Sequence, residues 1–114
     1  MRKKLIYIAS KYTDGDKEAN VLSQIDAAEL IGDMGAIPYI PLLSHYWDEV
    51  YPHEWEYWIN MCKQMVLRCD ALFRLPGESR GADIEEATAL LNDIPVFYSF
   101  GKLNWWVNNY APQS

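Results

Sequence analysis

Residues 69–98, CDALFRLPGESRGADIEEATALLNDIPVFY, constrain the fold more than any other part of the chain. They read as an apolar strand, a glycine-containing turn, a helix and a second apolar strand. Strands joined through a helix run parallel in one sheet with a right-handed crossover, and helices cover the faces of that sheet. Such a sheet binds small ligands beyond the carboxyl ends of its strands, where the following helices begin. The turn places Ser79, Gly81 and Glu85 at the spacing S-x-G-x-x-x-E. A carboxylate on the first turn of the helix is thereby set to face a ligand.

The rest of the chain extends the same alternation. Lys4–Ala9 is rich in Leu and Ile, as in a strand covered on both faces. The polar stretch Ser10–Asp16 is a loop in which Thr13, Asp14 or Asp16 caps the next helix. That helix runs from about Lys17 to Met34, with Val21, Ile25 and Ala28 as its apolar stripe, Leu22 and Ile31 beside it, and Gly35 as its stop. Ala36–Leu42 is a second strand, and Pro38 and Pro41 place it at a sheet edge. Residues 44–54 look irregular and aromatic. A helix then spans about Pro52–Arg68, a third strand Ala71–Leu75, a third helix Arg80–Leu91 and a fourth strand Pro95–Ser99, before a last short helix at Leu103–Asn109. The expectation is an α/β fold: one small doubly wound, Rossmann- or flavodoxin-like domain over residues 1–114. Its parallel sheet has four to five strands with helices on both faces.

Composition narrows the function. Half of the 114 residues are hydrophobic, enough for a chain of this length to bury roughly two-thirds of its unfolded surface. The formal charge is −6, which repels a phosphate backbone, so no nucleic-acid polymer is expected as partner. A mononucleotide needs only a local cradle of amides. No apolar run approaches 18 residues, and the apolar part of MRKKLIYIAS is too short for a signal-peptide core, so no membrane partner is expected. Cys62 and Cys69, seven apart on one expected helical face, read as reduced thiols of a cytoplasmic protein.

The strand ends converge on one crevice, delivering Tyr7–Tyr12, Leu75–Arg80 and Tyr98–Gly101. Gly77 and Gly81 permit close backbone approach, and helix-start amides with the Ser79 hydroxyl suit an anion such as phosphate. If Ile84, Ala87, Thr88 and Leu91 form the buried stripe, Glu85 lies about 100° from its centre and Glu86 about 200°. Glu85 then borders the packed face as a candidate nucleophile or base. The competing reading is that Asp83, Glu85 and Glu86 only answer the helix dipole. His45 and His53, with Asp48 and Glu49 between them, match no known ligand spacing, so neither metal nor other cofactor is expected.

With these residues in place, the chain resembles the nucleoside 2-deoxyribosyltransferase-like superfamily, most closely its short DUF4406-type branch. The resemblance is carried by YIAS at 7–10, the strand entry Cys69-Asp70-Ala71-Leu72, LPGESRGADIE at 75–85 and IPVFYS at 94–99. It implies that Glu85 is a nucleophile, that Asp70 stands near the leaving base and that Tyr7 contacts the nucleophile. Read alone, as an acid opening a strand, Asp70 is more often a turn or capping residue. Relatives acting on free deoxynucleosides tend to have aspartate where this chain has Ser79, whereas branches acting on 5′-monophosphates have serine. The physics agrees, since aspartate repels a phosphate and serine can donate to one, with Arg80 adding charge. The loop Tyr7-Ile8-Ala9-Ser10-Lys11-Tyr12 departs from the branch's usual Tyr-Ile-Ala-Gly-Pro-Tyr, bringing Ser10 and a Lys11 cation towards the site.

The implied activity is an N-glycosidase or 2-deoxyribosyltransferase that works through a covalent glycosyl-glutamate on a small nucleoside or nucleotide. Tyr12, Tyr46 and Trp47 are candidates to sandwich the base, and a homo-oligomer is expected, as in relatives. Trp105 and Trp106 read as packing or subunit contact. Two alternatives stand beside the enzyme: a catalytically silent nucleotide-binding or sensing domain, and a structural subunit that binds a protein through segment 46–58.

Overall fold

Strand β1 (Leu5–Ala9) has Ile6, Tyr7, Ile8 and Ala9 fully buried, which explains its near-continuous apolar sequence. It lies inside the sheet, paired in parallel with β2 (Ile37–Tyr39) on one side and β3 (Ala71–Arg74) on the other. Strand β4 (Val96–Phe97) pairs in parallel with β3, giving the order β2-β1-β3-β4. The α/β fold with a four-stranded, all-parallel sheet is the one expected. Pro38 sits in β2 at the sheet edge, where a missing N–H interrupts no second ladder. The computed structural model describes residues 2–13 and 15–109.

Alternation along β1 sorts the core into two layers. Ile6 and Ile8 join Phe73, Ala27, Ala28, Ile31 and Leu103, so helices α1 (Lys17–Asp33) and the terminal Phe100–Asn109 helix cover one face. Tyr7 and Ala9 join Leu72, Val66, Ala82 and Ala89, so the Trp55–Val66 and Arg80–Leu91 helices cover the other. Each large side chain so enclosed contributes about 1.5–3 kcal/mol. Among the described residues no helix is long and apolar enough to cross a membrane.

Asp16 caps α1, its carboxylate accepting from the amides of Glu18 and Ala19; the rival Asp14 lies outside the described residues. Gly35, at φ +94°, takes the chain out of the helix in a conformation that favours glycine. Within α1, Leu22 is exposed while Gln24 is fully buried. The buried row is therefore Val21, Gln24, Ala28 and Ile31 rather than an unbroken apolar stripe.

Residues 44–54 are more ordered than expected. A 3-10 turn at Pro41–Leu43 leads into α2 (Ser44–Val50). This helix shows no regular apolar stripe, because it is a wall with one buried residue, His45. It is tied to α3 (Trp55–Val66) through Asp48, which accepts from His53 N at 3.0 Å and from Trp58 Nε1 at 2.7 Å. Helices α4 (Arg80–Leu91) and α5 (Phe100–Asn109) complete the chain. Cys62 and Cys69 are free thiols, but α3 ends at Val66, so they do not share a helix face.

Candidate active site

A cavity of about 420 Å³ opens beyond the carboxyl end of β1. The β1–α1 loop supplies Ser10 and Tyr12; α2 supplies His45 and Asp48; α3 supplies Trp55, Trp58, Ile59 and Cys62. The start of α4 closes it with Ser79, Arg80, Gly81, Ala82 and Glu85.

Glu85 is 7% exposed, in the middle of the buried row Ala82, Glu85 and Ala89. The stripe inferred from the sequence was a different one: Leu91 is 83% exposed and Ala87 faces solvent. Two alanines flanking a carboxylate form the packed face, because small side chains let α4 lie close to α3 and the sheet. A Cβ at Gly81 would stand 3.8 Å from Ile59 Cδ1, so that approach is already in van der Waals contact. The other acids of the segment are held elsewhere. Arg74 Nη1 lies 2.9 Å from Asp83 and 3.3 Å from Glu86, and the Tyr98 hydroxyl donates to Glu86 at 2.9 Å. Among these acids, Glu85 alone lines the cavity.

Burial pushes the Glu85 carboxyl up from 4.5 to about 7. Hydrogen bonds from Tyr7 and Cys62, and the more distant Arg74 charge, work in the opposite direction. The Tyr7 hydroxyl donates to Glu85 Oε2 at 2.7 Å. Burial first, and then the neighbouring carboxylate, hold the Tyr7 phenol well above 10, so it stays a donor. Burial and Glu85 likewise keep the Cys62 thiol protonated, at about 12. Glu85 is thus a nearly enclosed acid with uncharged donors beside it, and it changes charge near neutral pH.

Around this carboxylate the cavity is aromatic and cationic. Trp55 and Trp58 line one wall, and the Arg80 guanidinium lies 4.6 Å from the Trp55 ring centroid. Ser79 Oγ accepts from the Ala82 amide at 3.1 Å as the α4 cap, leaving its hydroxyl hydrogen available to a ligand. Lys17 Nζ stands 5.3 Å from the Tyr12 ring. Gln24 explains its buried position here: its Nε2 donates to Ile8 O at 3.0 Å and Ser10 Oγ at 2.9 Å, and its Oε1 accepts from Leu42 N at 3.2 Å. One amide thereby joins the end of β1, the site loop and the turn before α2.

The structure brings together Glu85, Tyr7, Ser79, Arg80, Gly81, Ser10 and Tyr12. Asp70 is elsewhere. It sits at the amino end of β3, accepting from Leu5 N at 2.7 Å and pairing with both Arg2 guanidinium nitrogens at 2.9 and 3.1 Å. Four strand residues, about 13 Å of rise, separate it from the edge where the cavity opens. It is an end clamp for β1 and β3 and does not reach a ligand beside Glu85. Asp70→Ala is expected to lower stability by about 1–2 kcal/mol in urea unfolding, chiefly through the orphaned Leu5 amide, and to leave the titration of Glu85 unchanged.

Tyr46 and Trp47 also fall outside the cavity. Both are exposed, and Trp47 packs edge-on against Trp58, 5.0 Å between centroids. Gly77, at φ +124°, shapes the turn with the Lys11 stem lying against it, and neither lines the cavity. The nearby cation is Lys17. Sequence reading missed Lys17, Gln24, His45, Trp55, Trp58 and Cys62 as site residues. The last three were visible as a helical stripe at i, i+3 and i+7, but a stripe does not say which of its residues meet the core and which a cavity.

No curated protein matches the chain. The family model described as "Domain of unknown function (DUF4406)" matches residues 4–98, from β1 through β4 and every wall of the cavity. The chain belongs to the DUF4406 family.

Proposed function

We propose that this domain cleaves the N-glycosidic bond of a small nucleoside or nucleoside 5′-monophosphate through a covalent glycosyl ester on Glu85, in the manner of nucleoside 2-deoxyribosyltransferase-like enzymes. The observation that carries this reading is the Glu85 carboxylate, buried beside a cavity of nucleoside size and held at Oε2 by a neutral phenol. Ionised, Glu85 attacks C1′ with Oε1, and the C1′–N bond breaks with its electron pair leaving on the base. The departing base takes a proton from water or from His53, which lines the cavity, since Asp70 is at the opposite end of the strands. Asp48 is no proton source: hydrogen bonds from His53 and Trp58 hold it below the usual carboxylate range. Water then releases the sugar, or a second base accepts it. Trp55, Trp58 and Tyr12 offer faces for the base, and Ser79 with Arg80 offers donors for a 5′-phosphate.

Base release measured by chromatography tests this, using the four 2′-deoxynucleosides and their 5′-monophosphates with and without a free acceptor base. The expected result is release favouring monophosphates. Ser79→Asp should reverse that preference by about tenfold or more, since aspartate caps α4 equally well but repels the phosphate. Tight binding of nucleotides without release would make the domain a nucleotide sensor.

A further inference from the structure

His45 is buried at the start of α2, with 8% of its side chain exposed, and its two ring nitrogens have different surroundings. Nδ1 meets the Tyr12 hydroxyl at 2.5 Å. Nε2 is enclosed and makes no hydrogen bond to any described residue. Yet Glu49 Oε1, one turn along α2, lies only 2.7 Å from it. The oxygen is therefore close but off the line of a hydrogen bond, whereas a histidine–carboxylate pair normally closes into a straight, charge-assisted bond. Two donor atoms set side by side rather than in line can both face one metal ion, which would hold each at about 2.1 Å and spread them to about 3 Å. A third ligand comes from the first turn of α1: single ligand atoms of Glu18, His45 and Glu49 all lie within 4.8 Å of one another.

We propose that Glu18, His45 and Glu49 form a binding site for a divalent first-row transition ion such as Mn²⁺, Co²⁺ or Zn²⁺. One imidazole with two carboxylates suits these ions better than Ca²⁺ or Mg²⁺, which favour oxygen alone. Binding through Nε2 puts the imidazole proton on Nδ1, where it donates to the Tyr12 oxygen, and such an outer partner is what orients metal-binding histidines. Three protein ligands leave positions for water or for a ligand oxygen. Tyr12 and His45 also line the Glu85 cavity, so the ion fastens α2 to the start of α1 at its wall. The nearby Lys17 ammonium acts on Asp48, leaving the two glutamates to balance the ion. His53 takes no part, being stacked on Tyr57 with centroids 3.9 Å apart. The missing ligand of the sequence pattern was Glu18, on another helix, which local spacing could not reveal. This site is independent of the glycosidase reading and holds whether or not Glu85 reacts.

The test uses the full chain, freed of metal by chelation and titrated with Co²⁺ and with Zn²⁺ by calorimetry and visible absorption. The expected result is one ion per chain, no thiolate charge-transfer band, and a melting temperature raised by about 10 °C at a hundredfold excess over Kd. Glu18→Gln and Glu49→Gln change exposed side chains and should preserve the fold by circular dichroism. Each should weaken the metal by at least about tenfold. No binding up to about 1 mM, or binding indifferent to both substitutions, overturns the proposal and leaves His45–Glu49 as an ordinary ion pair.

Discussion

Glu85→Gln is expected to reduce base release by at least about a thousandfold while making the protein more stable at pH 8. The first effect follows from losing the only atom proposed to bond to the sugar. The second follows from the environment of that carboxyl, which burial raises from 4.5 to about 7. The native state then holds a proton that the unfolded chain has released, so stability falls as pH rises from about 4.5 to about 7. Above pH 7 the full cost of a buried charge is present. Glutamine is neutral throughout and can still accept from Tyr7. The variant and parent should therefore be nearly equal at pH 5, with the variant ahead by about 2–3 kcal/mol at pH 8 in urea unfolding. Retained turnover would place the nucleophile elsewhere. A variant less stable at pH 8 would show that the carboxylate is satisfied in its ionised form.

Tyr7→Phe tests how that charge is kept usable. The phenol donates to Glu85 Oε2 and favours the ionised form, opposing the effect of burial. Removing it should raise the Glu85 pKa further, so the acid limb of the kcat/KM profile, expected near pH 7, moves up by about one unit. Turnover at pH 7 should fall about ten- to a hundredfold and partly recover at pH 9. The ring itself remains beside Tyr39, 5.6 Å between centroids, so the sheet packing is kept. A limb that does not move would mean that Tyr7 holds Glu85 in place without tuning its charge.

Much of this site is legible in the chain itself, and the reasons are local. Ser79 caps a helix, Glu85 falls six residues later on the inner side, and Tyr7 alternates with Ile6 and Ile8 to reach the same face of the sheet. Strands, crossovers and caps obey short-range rules, which is why the parallel order and the edge position of β2 were available from periodicity and two prolines. The misjudged places share a cause. On α4 the apolar residues Ile84 and Leu91 suggest the inner face, but hydrophobicity is a poor guide where small residues do the packing. Ala82 and Ala89 carry little hydrophobic signal, and the helix turns them inward because only they allow the close approach.

Asp70 and Trp47 were misplaced for a different reason. Sequence order says that a residue opens a strand or sits in a loop, and it says nothing of the distance from there to a cavity. The sequence by itself determined the α/β alternation and the parallel sense of the sheet, because periodicity, caps and crossover connections are written locally along the chain. Only the tertiary structure decided that Asp70 clamps the opposite edge, that Gln24 joins three segments and that Glu18 meets His45 and Glu49. Those arrangements depend on where separate helices come to rest on one sheet, and the packing of side chains far apart in the chain sets that position.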